Sequence, residues 1–146
     1  MFLILHNVRS TYNVGSIFRT ADAAGVKKIW LCGYTPTPAQ KTALGAEATI
    51  PWEHRSQTWR LLKELKQQGI HIVALEQYQY SKDLFRYTPR FPLALIVGHE
   101  RKGLTKKILE SVDDVVEIPM YGKKESLNVA VAAGIALYSL NADWRR

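Results

Sequence analysis

Acidic residues are few in this chain relative to basic ones. Thirteen Asp and Glu stand against 20 Lys and Arg, leaving a net charge of +7. That balance disfavours basic partners and favours a polyanion, most simply nucleic acid. Cysteine is nearly absent, and the single thiol, Cys32, excludes an internal disulfide. With no reactive motif beside it, Cys32 reads as a small buried residue at a strand end, in keeping with a reducing cytoplasm. No apolar run is long enough to span a bilayer. The apolar part of MFLILHNVRS is too short for a secretory leader and reads as a buried first strand. His6, His54, His71 and His99 are scattered, and neither H-E-x-x-H nor paired C-x-x-C occurs, so no metal site is expected. The dinucleotide fingerprint G-x-G-x-x-G and the phosphate loop G-x-x-x-x-G-K-[ST] are missing too. Ordinary NAD enzymes, kinases and ATPases lose their main support.

What is present is an ordinary globular balance, with 47% hydrophobic and 23% charged residues over 146 positions. There is no linker or internal repeat, which predicts one domain over residues 1–146, without an appended RNA-binding domain. Apolar runs at Phe2 to Leu5, Lys28 to Cys32, Ile70 to Leu75, Leu93 to Val97 and Val115 to Ile118 read as strands. Between them, helices are predicted from Asn13 to Gly25, from a Ser56 cap through Gln67, and from Leu104 to Glu110. A final helix runs from Leu127 to Leu140. Trp59, Leu62 and Leu65 are expected on the buried side of the second helix. Gly33 to Pro51 is expected to be irregular, with a helical turn at Ala39 to Leu44. Such alternation predicts an α/β fold, a mostly parallel sheet with helices on both faces. Ligands in these sheets sit beyond the carboxyl ends of the strands. Three polar or glycine-bearing loops follow strands there: Leu75 to Gln77, Gly98 to Gly103 and Pro119 to Asn128.

Three segments carry the chemistry. In IPMYGKKESLNVAVAAGIALY, Ile118 to Tyr138, a loop with two lysines enters a helix that is apolar on nearly every side. A soluble chain buries such a helix on all faces, in its own core or against a partner, so Glu125, Ser126 and Asn128 stand on a rigid base. In LIVGHERKGL, Gly98 permits close approach of a ligand and Glu100 places a carboxylate at a helix entrance; the same residues also suit a plain tight turn. In NVGSIFRTADAAGV, Asn13 occupies an N-cap position and Arg19 lies off the apolar face. Asn13 suits a simple cap and Arg19 a solvated charge, but arginine is also the preferred bidentate grip on phosphate. Basic residues gather at Arg101, Lys102, Lys106 and Lys107, at Lys123 and Lys124, and at Arg145 and Arg146. The first two groups flank the expected crevice and suit a phosphate-backbone surface.

Together and in this order, the three segments resemble the signature motifs of the SpoU (TrmH) family of RNA ribose methyltransferases, in the SPOUT superfamily. KTALGAE at Lys41 to Glu47 is similar as well, and the resemblance runs from Asn7 to Tyr138. It implies transfer of a methyl group from S-adenosylmethionine to a ribose 2′-hydroxyl of RNA, on a fold whose C-terminal segment forms a deep trefoil knot. Residue by residue, it implies catalytic roles for Asn13, Arg19, Glu100, Ser126 and Asn128. The implied cofactor pocket comprises Leu75, Glu76, Gly98, Ile118, Met120, Ser126 and Leu127. RNA contacts are expected from Arg9, Arg101, Lys102, Lys106, Lys123 and Lys124. His99 departs from the family pattern, where a small or amide residue is common. A homodimer through the alanine- and glycine-rich last helix is expected, in the cytoplasm, with tRNA ahead of ribosomal RNA as substrate. The competing readings are an RNA-binding protein without catalysis on the same fold, and a methyltransferase acting on a base nitrogen.

Overall fold

The computed structural model describes residues 1–144, with side chains through residue 141. Seven strands form one sheet in the order β3-β2-β1-β6-β4-β7-β5. They are β1 Phe2–His6, β2 Ile29–Cys32, β3 Trp52–Arg55, β4 His71–Leu75, β5 Lys82–Asp83, β6 Leu93–Val97 and β7 Asp114–Glu117. Every pairing is parallel. Helices α1 Thr11–Ala23, α2 Gln40–Ala43, α3 Ala46–Thr49, α4 Thr58–Gln67, α5 Lys106–Ser111 and α6 Val129–Trp144 connect or flank them.

Side chains alternate across each strand, and that alternation divides the interior in two. Leu3, Leu5, Leu95 and Val97 face α1 and α6, where Ile17, Phe18, Ala133 and Leu137 meet them. Ile4, Ala94 and Ile96 face the other way, onto Leu61, Leu65 and Ile108 of α4 and α5. The central strand β6 is therefore apolar at every position, and β1 and β4 are apolar except for a histidine at one end, as doubly covered parallel strands require. Burial pushes the Cys32 thiol up to about 11, so this cysteine is an inert part of the second core.

Several expectations change. Ser10, not Asn13, caps α1: its Oγ accepts from the Asn13 N–H at 3.2 Å. Gln57 occupies the cap position of α4 without a side-chain bond, so Ser56 is not the cap. Trp59 is exposed, and Thr58, Leu61, Leu62 and Leu65 form the buried side. Thr105 caps α5, whose first helical residue is Lys106. Strands β3 and β5 were not anticipated. Helix α6 is not enclosed by its own chain: Ala133, Ala136, Leu137 and Leu140 are buried, while Val131 and Tyr138 are exposed.

At the amino ends of β4 and β7, far from the loops of interest, a polar cluster ties the sheet together. Asp114 accepts from His71 Nε2, Tyr87 Oη and Lys82 Nζ, each at 2.8 Å. Burial by itself would raise the Asp114 carboxyl, but these three donors outweigh it and bring its pKa from 3.8 down to about 2. Its stabilisation is therefore complete above about pH 4 and is lost as pH falls toward 2. Asp114→Asn should cost about 2 kcal/mol at pH 7, or roughly 4–8 °C. In thermal melts the gap from wild type should close between pH 4 and 2; a gap that persists there would refute the assignment.

Candidate active site

Strands β6, β4 and β7 are neighbours, so the loops at their carboxyl ends converge. Between these loops lies a solvent-open cleft of about 750 Å³. Its walls include Leu75, Glu76, Gly98, Ile118, Met120, Ser126 and Leu127, every residue that the family resemblance implies for a cofactor pocket. Val97, Val129 and Ala132 add apolar wall, and His99, Glu100 and Arg101 form one lip.

Glu76 is the clasp between two of the loops. Its Oε1 accepts from the Gln77 N–H and its Oε2 from the Leu104 N–H, both at 2.9 Å. The carboxylate lies directly over Gly103, which has φ +64°; a Cβ there would fall 2.0 Å from Glu76 Oε2. Only glycine gives both the left-handed turn and room for the clasp. The third loop is tied in by Gln77 Nε2, which donates to the Glu125 carbonyl at 2.7 Å.

Glu100 holds the turn after β6 against the start of α1. Its carboxylate accepts from the Arg9 and Ser10 N–H groups at 2.9 Å and from Asn13 Nδ2 at 3.3 Å. Burial alone would raise this carboxyl; the Arg9 and Ser10 amides outweigh that and hold it below its usual value. An ionised carboxylate only accepts, so Asn13 must turn its NH₂ toward Glu100 and its oxygen outward. That oxygen accepts from Asn128 Nδ2 at 3.3 Å. The Asn128 oxygen in turn accepts from the Ala130 and Val131 N–H groups, which caps α6. One carboxylate thus fixes the orientation of two amides and links α1, α6 and the cleft lip.

The structure therefore brings together Asn13, Glu100 and Asn128, with Ser126 in the cleft wall. It does not bring Arg19 to them. Arg19 lies six positions after Asn13, about 9 Å along α1 and about 240° around it. It is exposed and makes no hydrogen bond or ion pair among the described residues. Of the expected RNA contacts, Arg9 and Arg101 stand beside the lip and Lys123 and Lys124 are exposed on the third loop. Lys102 is exposed in the turn after β6. Lys106 lies farther out and pairs with Glu110 at 3.8 Å. Arg145 and Arg146 lie outside the described residues. Among the described residues there is no group of acids, histidines or cysteines suited to a metal, and no helix is long and apolar enough to cross a membrane. Sequence reasoning missed the clasp geometry of Glu76 over Gly103, and it assigned Asn13 a cap that Ser10 already supplies.

Known proteins are similar to this chain in sequence and fold. A 23S rRNA (guanosine-2′-O-)-methyltransferase RlmB of Ralstonia nicotianae is 36% identical over 143 residues, covering 94% of this chain and 57% of the relative. The crystal structure of a TrmH/SpoU tRNA modifying enzyme of A. aeolicus superposes with a TM-score of 0.91 at 31% identity, covering 99% of this chain and 75% of that one. An AdoMet-bound rRNA methyltransferase of Sinorhizobium meliloti has a TM-score of 0.87 at 29% identity, covering 97% of this chain and 55% of that one. This chain thus spans little more than half the length of the curated relative. The profile of the SpoU rRNA Methylase family matches residues 1–138, and the chain belongs to that family.

Proposed function

We propose that this chain transfers a methyl group from S-adenosylmethionine to the 2′-hydroxyl of a ribose in RNA. The observation that carries the reading is the convergence of three motif loops on one cleft, with Asn13, Glu100 and Asn128 locked at its rim. The cleft fits an adenosyl group: Leu75, Ile118, Met120 and Leu127 offer apolar walls, while the missing Cβ of Gly98 leaves room for the Gly103 backbone to fold back in the turn after β6. When bound, S-adenosylmethionine supplies an electrophilic methyl carbon on a sulfonium. Held by these residues, it would serve as the methyl donor to the ribose oxygen, and the 2′-hydroxyl proton would leave to the adjacent phosphate or to water.

In this reading, Asn13 and Asn128 align the ribose, and Ser126 fixes the third loop over the cofactor. Glu100 is a positioning residue: both of its oxygens already accept from N–H groups at the start of α1, so it holds Asn13 rather than taking the proton. Arg19 grips the neighbouring phosphate and steadies charge on the attacking oxygen, since a guanidinium is a poor base. Most of the acceleration then comes from alignment and fixed electrostatics.

Because Arg19 lies away from its own rim, it serves the cleft of a second copy. A groove between α1 and α6, lined by Ser16, Thr20, Val131, Gly134 and Tyr138, is the surface on which that copy docks. Its small residues admit close helix contact, and its exposed apolar face needs a cover. Sedimentation should therefore give a dimer at micromolar concentration. Arg19→Ala and Asn128→Ala chains, each nearly inactive alone, should regain activity when mixed. A lack of rescue would keep Arg19 in its own site. Arg19→Lys should lose most activity; a native rate there would dismiss the bidentate grip.

The knotted path also belongs to this reading. Residues 118–128 leave β7, pass the loops after β4 and β6, and reach α6 against α1. A crystallographic trace in which this segment runs outside the 76–92 connection would rule the knot out.

Labelled S-adenosylmethionine and total RNA test the activity directly. Label on a ribose oxygen is the expected result. Label on a base nitrogen would move the chain to the alternative chemistry, and RNA binding without label or cofactor affinity would leave a binding protein. Separating tRNA from ribosomal RNA after labelling identifies the substrate; tRNA is the expectation carried from the sequence, while the RlmB relative bears the name of a 23S rRNA enzyme.

A further inference from the structure

Beside the cleft lip stands an aromatic corner that the proposed chemistry does not use. Tyr34, in the loop after β2, meets His99, in the turn after β6, edge to face at 6.4 Å between ring centroids. The Tyr34 side chain is 56% exposed, yet its backbone is fixed from both sides. Its N–H donates to Asn7 Oδ1 at 3.1 Å, and Asn7 holds the left-handed conformation at φ 55°. Before Tyr34, Gly33 donates to the Arg55 carbonyl and has φ +64°; a Cβ there would lie 1.9 Å from Asn7 Oδ1. After it, the buried Thr35 hydroxyl accepts from the Val8 N–H at 3.1 Å and donates to the Cys32 carbonyl at 2.8 Å. These bonds, around the left-handed Asn7 and Gly33, hold the Tyr34 backbone in one place and so fix where its ring is presented.

His99 is fixed as firmly. Its Nδ1 accepts from both the Arg101 and Lys102 N–H groups at 3.0 Å. The ring proton of the neutral imidazole therefore sits on Nε2, which has no partner among the described residues. The corner thus presents a flat π-face and one oriented N–H donor. Around it are Arg9 and Arg101, cations without ion pairs among the described residues.

We propose that Tyr34 and His99 form a recognition corner for an unpaired nucleotide of the RNA substrate, the base stacking on Tyr34 and accepting a hydrogen bond from His99 Nε2–H. This rests on the methyl-transfer reading for its RNA partner and adds the class of RNA: a loop or single strand, whose bases can splay out, rather than a duplex. In an A-form duplex the bases are stacked on one another and offer no free face. An exposed aromatic ring with adjacent cations is the combination that single-stranded recognition requires.

The test compares a fluorescein-labelled, unstructured 12-nucleotide RNA with the same strand paired in a duplex, by anisotropy. Wild type should prefer the single strand. Tyr34→Ala should lose about tenfold in single-strand affinity and little for the duplex, whereas Tyr34→Phe should keep the preference. His99→Asn retains an acceptor for the two backbone N–H groups but withdraws the Nε2 donor; it should weaken single-strand binding without lowering the melting temperature. Wild-type affinity in Tyr34→Ala, or no preference in the wild type, would overturn the corner even if methyl transfer proceeds. Conversely, preference through Tyr34 in a chain that transfers no methyl group would support the corner and overturn the methyl-transfer reading.

Discussion

Gly103→Ala should reduce affinity for S-adenosylmethionine by about 10- to 100-fold while leaving the protein folded. Two effects add at this position. A Cβ at φ +64° is strained in the left-handed region, by about 1–2 kcal/mol. The same Cβ would also occupy the place of the Glu76 carboxylate, 2.0 Å from Oε2. Glu76 can swing away, but it must then release the Leu104 N–H, and the loops after β4 and β6 lose their clasp. A hydrogen bond to a charged group contributes about 1.5–3 kcal/mol, which sets the expected loss of affinity. Gly69→Ala is the control. It has φ +79° but nothing within 4 Å of the added carbon, so it should lower stability without touching affinity. Calorimetric titration of both variants decides the matter; wild-type affinity in Gly103→Ala would remove the clasp from the account of the site.

Glu100→Gln should lower the methyl-transfer rate by about 100-fold, with a smaller effect on cofactor affinity. The substitution keeps the size of the side chain and removes one acceptor oxygen. A glutamine cannot accept from Arg9 and Ser10 at separate oxygens, because one end of its amide is now a donor. Whichever way it turns, one N–H of the α1 entrance loses its partner or Asn13 must rotate. Rotation of Asn13 faces its amide against that of Asn128 and disturbs the cap of α6. Misplacement of a reacting group by about 1 Å is enough for a 10²-fold loss. Stability should fall as well, and in a pH-dependent way. Glu100 is held below its usual value in the folded chain, so its stabilisation is complete above the ordinary glutamate range and vanishes as pH falls through the lowered value. Wild-type and variant melting temperatures should therefore converge in acid. Full transfer activity in Glu100→Gln would mean that the Asn13–Asn128 orientation does not govern the reaction.

The sequence made the layered sheet readable because the signals were long and redundant. Leu93 to Val97 is apolar at each position, and the strand is covered on both faces. Strand β3 was hidden for the opposite reason: Trp52 is followed by the polar edge residues Glu53, His54 and Arg55, with no apolar alternation to detect. At α1, both Ser10 and Asn13 are good caps, and composition alone does not decide between them. The structure decides because Ser10 reaches the Asn13 N–H, which releases the Asn13 side chain for the site. Helix α6 posed another kind of ambiguity. Ala133 and Val131 are both apolar, so hydrophobicity does not tell which side its own chain covers. The three loops around the cleft were legible because parallel sheets gather ligands at one end, whereas the individual pocket residues came from the family resemblance. The Tyr34 corner was not, since the left-handed backbone of Asn7 leaves no trace in residue spacing.

The seam between α1 and α6 joins residues 11–23 to residues 129–144. A ribosome adds about 5–20 residues per second, so α1 emerges on the order of 10 s before the helix that covers it. Through that interval Ile17, Phe18 and Ala21 have only part of their final surroundings, and for most of it β1 still awaits β6. Parallel pairings over such separations close slowly, so the apolar face of α1 stays partly uncovered while they form. The rim amides of Asn13 and Asn128 meet at the end of this sequence of events. The Asn13–Asn128 link across the rim therefore closes only when α6 has docked against α1, and the cleft is completed in one late step.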